Sequence, residues 1–105
     1  MIRDKRSTER VDLRLPIQLI FGTQIVLQGQ IKDLSLKSTF VTIKSSIHMD
    51  TNDPLTFTIE NIPNNVDGVI KGSARISRVV PGEGVAIYFT KMDEASANLL
   101  QRLIG

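Results

Sequence analysis

The chain has 105 residues, of which 41% are hydrophobic and 23% are charged. These proportions exclude a disordered or fibrous chain, and the length allows one globular domain with its own core. With no cysteine and a single histidine, disulfide frameworks, thiolate nucleophiles and zinc sites built from cysteine or several histidines are excluded as well.

The distribution of apolar residues indicates where the chain resides. The first ten residues lack the apolar stretch of a signal peptide, and no segment approaches the ~20 apolar residues that cross a bilayer. We therefore expect a cytoplasmic protein without direct membrane insertion.

Six segments alternate between apolar and polar residues with a period of two, which is typical of half-buried β-strands. In chain order they are residues 15–21, 25–32, 39–44, 55–60, 70–77 and 85–90. Gly22 and Thr23 predict a tight turn between the first two strands, and residues 81–84 predict a turn between the last two.

The period changes only at the C-terminus, where Asp93 can cap a helix and Gly105 can end it. The apolar stripe of this predicted helix consists of Ala95, Leu99, Leu100, Leu103 and Ile104. Short antiparallel strands favour closure, because closure removes the exposed edges that would pair with other chains. The sequence thus predicts an all-β fold, a six-stranded antiparallel β-barrel with a C-terminal α-helix over residues 15–105.

The net charge of +2 arises near the N-terminus. Residues 1–14 contain five basic and three acidic side chains, and the remainder of the chain is balanced. A protein that follows a nucleic-acid backbone spreads basic residues over a face, so this distribution is better suited to a small anion. We interpret residues 1–14 as a flexible arginine-bearing arm; a solvated tail without function is the alternative.

Two short clusters carry complementary chemistry: Arg6 with Arg10 in the arm, and Asp33 with Ser35 at the end of the second predicted strand. An arginine guanidinium matches the O6 and N7 acceptors of guanine, whereas a carboxylate and a hydroxyl suit its N–H donors. Phosphates also require cations. The clusters therefore suit an anionic guanine nucleotide, although Asp33 and Ser35 considered without the arm are more typical of a local turn.

These residues and their order resemble the PilZ domain family, the bacterial receptors for the second messenger cyclic di-GMP. Arg6-xxx-Arg10 stands where the family has RxxxR, and Asp33-x-Ser35 stands where it has DxSxxG. Residues 15–17, 72–78 and 82–89 and the leucine-rich C-terminal helix are also similar to the family. The resemblance runs almost from end to end of the chain.

The resemblance implies that Arg6 and Arg10 engage the phosphates and guanine edges, and that Asp33 and Ser35 bond a guanine base. We expect a non-enzymatic receptor without other cofactors, in which cyclic di-GMP orders the arm and alters the binding of a bacterial effector protein. Arg75 and Arg78 are predicted to be secondary contacts, with solvated or paired arginines as the alternative.

The sequence departs from the family at Ser38, which occupies the motif glycine position. If glycine is required there for a positive φ, serine raises the free energy of that backbone conformation by roughly 1–2 kcal/mol. Each 1.4 kcal/mol by which the bound state is destabilised lowers the affinity about tenfold. The alternative function is therefore a degenerate PilZ-like interaction module that does not bind the nucleotide.

Other functions are less well supported by the sequence. Aromatic residues are only 5%, which argues against a single-stranded nucleic-acid barrel, and no nucleophile–base pair or metal cluster supports an enzyme. We expect no nucleic-acid partner and a monomer or weak dimer.

Overall fold

The computed structural model describes residues 11–44, 48–62 and 68–104. These residues form seven strands and one helix: β1 (Val11–Asp12), β2 (Pro16–Phe21), β3 (Ile25–Leu34), β4 (Ser38–Thr42), β5 (Pro54–Ile59), β6 (Ile70–Val80), β7 (Gly84–Met92) and α1 (Glu94–Ile104). The six predicted strands correspond to β2–β7, and the predicted helix is also confirmed. The second, fifth and sixth of the predicted strands are longer than expected, and β1 was not predicted.

The six long strands close into an antiparallel barrel. Their order is β3-β2-β5-β6-β7-β4, and the additional pairing of β3 with β4 closes the circle. β1 is added at the end of β3, where Val11 lies opposite Leu34 and Asp12 opposite Asp33. The predicted barrel is confirmed, and β1 falls within the segment interpreted as an arm, of which residues 1–10 lie outside the described residues.

The core is the interior of the barrel, because alternate residues of each strand point inward. Phe57 is 1% exposed, and its ring centroid lies 5.0 Å from that of Phe89. The other fully buried side chains include Ile17, Leu19, Ile31, Ile59, Ile70, Ile76, Val85 and Ile87. Burial of this apolar set is the main stabilising contribution.

Helix α1 packs on the barrel beside β6. Leu100 and Ile104 belong to the core cluster, with Leu99 and Leu103 partly buried against it. The predicted inward position of Ala95 is wrong: Ala95 is exposed and Ser96 is buried. The reason is polar, since the Ser96 hydroxyl accepts a hydrogen bond from the Lys71 N–H (3.0 Å) and donates to the Val69 carbonyl (3.5 Å).

Asp93 caps this helix as predicted. The Ser96 N–H donates to Asp93 Oδ1 over 2.7 Å. This backbone hydrogen bond and the Ser96 hydroxyl lower the pKa of the Asp93 carboxyl below its usual 3.8; desolvation opposes them, and the charge of Lys71 adds a weaker lowering effect. The cap therefore stabilises the folded chain in its ionised form.

The stabilisation by Asp93 should depend on pH. A carboxyl whose pKa is lower in the folded chain contributes stability above the unfolded pKa of 3.8 and loses it as the pH falls through the folded value. We expect Asp93→Ala to lower the Tm by several degrees at pH 7 and to approach the wild-type Tm below pH 3.8. Asp93→Asn, which keeps an acceptor without the charge, should retain most of the Tm at pH 7. Circular dichroism melts between neutral and acidic pH would measure this, and a wild-type advantage that grows on acidification would contradict it.

No helix within residues 11–44, 48–62 and 68–104 is both long and apolar enough to span a bilayer.

Candidate ligand-binding site

The connection between β3 and β4 is organised around the Ser35 hydroxyl. Ser35 is only 2% exposed, and its Oγ accepts hydrogen bonds from the N–H groups of Ser38 (3.1 Å) and Lys37 (3.3 Å). The Ser35 hydroxyl also donates a hydrogen bond to the Ser38 carbonyl (3.2 Å), and the Ser35 N–H donates to the same carbonyl (2.8 Å). Ser35 therefore fixes the local turn, whatever else it binds.

Asp33 is held at the end of β3, immediately before this turn. The register of β3 against β4 shifts between Ile31 and Asp33, and such a bulge redirects the side chains that follow it. The Thr39 hydroxyl donates to the backbone carbonyl of Asp33 over 2.6 Å, which ties the strand end to β4. The Asp33 side chain is half-buried. In the sheet, Asp33 pairs with Asp12 of β1 on one side and with Phe40 of β4 on the other.

Ser38 is the first residue of β4 and does not have a positive φ. Among the described residues, positive φ outside glycine occurs at Asn52 and Asn61. The steric cost anticipated for a non-glycine residue at this motif position is therefore absent from this conformation. The side chain instead lies 3.3 Å from the Ser35 hydroxyl, oxygen to oxygen.

A surface pocket of about 460 Å³ opens on the outer face of the barrel beside Asp33. Its lining residues come from β3, β4, β6, β7 and the β6–β7 turn: Lys32, Asp33, Phe40, Arg78, Val80, Glu83 and Ala86. A volume in this range is typical of small-molecule sites. The pocket brings the predicted residues Asp33 and Arg78 together with two further charges and an aromatic ring.

Phe40 is buried but does not belong to the core cluster. It lines the outer pocket, and Lys32 Nζ lies 5.9 Å from its ring centroid, within the range of a cation–π contact. Phe40 was not predicted from the sequence to be a site residue. The alternation that placed Val41 and Ile43 inward was sufficient to place Phe40 outward.

Arg75 lies elsewhere on the same outer surface. Its Nη1 donates to the Asn52 carbonyl over 2.8 Å, and the Tyr88 hydroxyl lies 3.4 Å from Asn52 Oδ1. In the sheet, Tyr88 of β7 pairs with Ser38 of β4 on one side and with Arg75 of β6 on the other. The structure thus separates the two predicted secondary arginines, placing Arg78 in the pocket and Arg75 on the β5 side against a loop.

The predicted arginines of the arm, Arg6 and Arg10, lie outside the described residues. In the part of the chain that the structure describes, no group of three or more His, Asp or Glu side chains is placed to hold a metal ion. The arrangement contains hydrogen-bond donors, acceptors and an aromatic surface, which is the chemistry of ligand binding.

Comparison with known proteins agrees with this architecture. The chain resembles the structure of the Bacillus subtilis inhibitor of motility, MotI/DgrA, with a TM-score of 0.75 and 13% identity over 89% of this chain and 46% of that one. The chain therefore spans about half the length of MotI/DgrA. It also resembles the PilZ domain of CeSA from a cellulose-synthesizing bacterium, with a TM-score of 0.71 and 18% identity over 92% and 95% of the two chains.

No curated protein matches the chain. The family model of the PilZ domain matches residues 4–105, which is nearly the whole sequence and includes both predicted motifs. The chain therefore belongs to the PilZ domain family, a family of cyclic di-GMP receptors.

Proposed function

We propose that this chain is itself a cyclic di-GMP receptor that binds the nucleotide on the outer face of β3, β4, β6 and β7. PilZ domains are binding and adaptor domains, and the family binds cyclic di-GMP and interacts with partner proteins. The observation that carries the proposal is the pocket beside the β3–β4 turn, in which Asp33 and Arg78 line one concave surface with Phe40.

The chemistry of the pocket matches a guanine base. The Asp33 carboxylate can accept hydrogen bonds from the N–H donors of guanine, and the Arg78 guanidinium can donate to its O6 and N7 acceptors. The half-buried position of Asp33 reduces solvent screening, so a hydrogen bond to this charge is stronger than on an open surface. The motif residues Ser35 and Ser38 frame the turn next to it.

In this proposal the arm supplies Arg6 and Arg10 to the phosphates and guanine edges. β1 is antiparallel to β3, and the pairing of Val11 with Leu34 puts the start of β1 beside the β3–β4 turn. Arg10 directly precedes Val11, and Arg6 lies four residues earlier. At ~3.5 Å per residue, both arginines are tethered within reach of the pocket.

The proposed output is a change in partner binding. Cyclic di-GMP would order residues 1–10 against the barrel, and the ordered segment with its ligand would form a surface that the free chain does not present. Binding must offset the entropy lost by that segment, so the contacts made by Arg6 and Arg10 in the ordered state are essential. The partner is proposed to be a bacterial effector protein.

The contact between Ser38 and Ser35 supports a second candidate, an interaction module without nucleotide binding. The Ser38 hydroxyl lies 3.3 Å from the Ser35 hydroxyl. The Ser38 side chain therefore occupies space in the turn at the position where the family has glycine. A ligand that approaches this backbone closely would meet the Ser38 side chain.

Isothermal titration calorimetry with cyclic di-GMP distinguishes the two candidates. We expect saturable heats for the full chain and a rise in Tm with ligand concentration, because a ligand that binds only the folded state stabilises it. GMP at the same concentrations serves as the control for a single nucleotide. Flat heats and an unchanged Tm for correctly folded protein would overturn the receptor and favour the interaction module.

Ser38→Gly should bind cyclic di-GMP about threefold to tenfold more tightly than the wild type, because it removes the side chain at the closest approach. Ser38→Ala removes the same hydroxyl but keeps Cβ and is the matched control. A gain for Ser38→Gly alone would assign the effect to backbone approach. If neither variant gains affinity in the titration, Ser38 is no obstacle to the ligand.

A further inference from the structure

The β2–β3 hairpin has an open edge along residues 25–29 of β3. β2 pairs with β3 through Ile25–Gln30 on one side, whereas on the other side the pairing with β4 begins only at Gln30. Within the described part of the chain, no strand pairs with residues 25–29 on that second side.

The backbone groups that face outward from the open edge can be assigned from neighbouring hydrogen bonds. The Ile31 N–H donates to the Leu15 carbonyl, so Ile31 faces the β2 side, and the Gln30 carbonyl accepts from the Thr42 hydroxyl on the β4 side. Successive residues of a strand alternate in this respect. Val26 and Gln28 therefore direct their N–H and C=O groups away from β2, toward the open edge.

The side chains at this edge are unusually apolar for a protein surface. Ile25 is 42% exposed and Val26 is 51% exposed, and they are the large hydrophobic residues that the described part of the chain leaves exposed. An isolated exposed apolar residue is ordinary, but two of them along the unpaired edge of a strand make a surface that can accept another strand.

The open edge also lacks the features by which proteins protect such strands. Residues 15–31 contain no charged side chain, and residues 25–31 contain no proline. The bulge of β3 lies between Ile31 and Asp33, beyond the open edge. Lysine, proline and bulges are the usual means of preventing edge-to-edge pairing, and none of them lies within residues 25–29.

We propose that the open edge binds a second copy of this chain, giving a symmetric dimer in which two β3 strands pair antiparallel. A two-fold axis normal to the sheet leaves the side chains that point out of both barrels on one face of the combined sheet. A residue whose side chain points out of one barrel must therefore lie opposite a residue of the same kind in the second copy. Pairing Val26 with Val26 of the second copy satisfies this rule. It also brings together the backbone N–H and C=O groups that point away from β2 in both copies. This pairing also buries Val26, the more exposed of the two apolar side chains at this edge, against the same residue of the second copy.

A second copy is favoured over a different partner because the open edge has no charge with which to select one. The uncharged strand is self-complementary, since pairing with itself brings no like charges together. The contact spans only a few residues and falls well below the ~1,200 Å² typical of a stable complex. The dimer is therefore weak and reversible. It leaves the pocket beside Asp33 uncovered, because β3 contributes to that pocket only through Lys32 and Asp33, beyond the open edge, and the other lining residues lie on β4, β6, β7 and the β6–β7 turn.

Sedimentation equilibrium between about 10 μM and 1 mM tests the proposal. We expect the average mass of the wild type to rise toward that of a dimer, and Val26→Lys to weaken association at least about tenfold by placing two lysines face to face. Thr56→Lys is the matched control, because Thr56 is exposed on β5, both edges of which are paired. A constant monomer mass at all concentrations, or equal weakening by both lysines, would refute the dimer.

Cysteine cross-linking checks the register independently, since the chain has no cysteine of its own. Directly opposed residues in a hydrogen-bonded antiparallel pair have Cα atoms about 5.5 Å apart, which suits a disulfide. Val26→Cys should give a disulfide-linked dimer under mild oxidation, and Thr56→Cys should not. Equal cross-linking of both variants would show random collision and would contradict the proposed pairing.

Discussion

Replacing Asp33 with asparagine is expected to weaken cyclic di-GMP binding by about 10- to 150-fold. A hydrogen bond to a charged group contributes ~1.5–3 kcal/mol, and each 1.4 kcal/mol is tenfold in affinity. Asparagine keeps one acceptor but replaces the second with an NH₂ donor, which would face the N–H donors of guanine. The loss should appear in the dissociation constant measured by calorimetry.

Loss of binding by Asp33→Asn must be separated from any change in folding. Thr39 donates to the backbone carbonyl of Asp33, which asparagine retains, so this anchor of the strand end does not depend on the carboxylate. The Tm of the unliganded variant measures any remaining effect on folding. Glu60→Gln, which removes an exposed carboxylate just after β5, is the control for the change in net charge. If Glu60→Gln weakens binding as much as Asp33→Asn, the nucleotide does not depend on this carboxylate.

The barrel could be predicted from the sequence because inward and outward residues alternate on all six long strands. Ile70, Ala74 and Ile76 are buried as the pattern predicted, since one face of each strand must pack on the core. Strand β1 was missed because a pair of residues carries too little periodicity, and its position depends on Leu34 and Asp33 across the sheet. Ser96 was missed because its burial depends on the Lys71 N–H and the Val69 carbonyl, which are distant in sequence.

The candidate site was predictable only where a motif or a local pattern defined it. Asp33 and Ser35 were selected by their spacing, but the pocket joins Asp33 to Arg78 and Glu83 through the register of four strands. No local pattern encodes that register, so Arg75 and Arg78 were given equal standing. The structure distinguishes them, because Arg75 donates to the Asn52 carbonyl while Arg78 lines the pocket.

Barrel closure depends on a close approach between β4 and β7 at Gly84. Gly84 pairs with Thr42 of β4 on one side and Val80 of β6 on the other. A Cβ atom at Gly84 would lie 1.9 Å from the Val41 carbonyl oxygen and 2.9 Å from Thr42 Cα. These are backbone atoms of a paired strand, so they cannot move aside as a flexible side chain does. β4 would have to shift away from β7.

Gly84→Ala is therefore expected to destabilise the protein by about 3 kcal/mol or more, at the upper end of overpacking effects. For a domain of this size the Tm should fall by roughly 10–20 °C, measured by circular dichroism or calorimetry. Because β4 carries Ser38 and Phe40, the folded fraction of this variant should also bind cyclic di-GMP more weakly. Destabilisation and loss of binding would then share one cause, the displacement of β4.

Gly82→Ala is the control that separates two ways in which alanine can destabilise this region: a steric clash with β4, and an unfavourable backbone conformation. Gly82 lies in the preceding turn with φ +81, and a Cβ atom there meets no atom within 4 Å. Its cost arises from the left-handed conformation alone, ~1–2 kcal/mol, and it leaves β4 in place. We expect Gly82→Ala to lower the Tm less than Gly84→Ala and to bind the nucleotide like the wild type. If the two alanines have the same effect on the Tm, the contact with the Val41 carbonyl does not limit closure of the barrel.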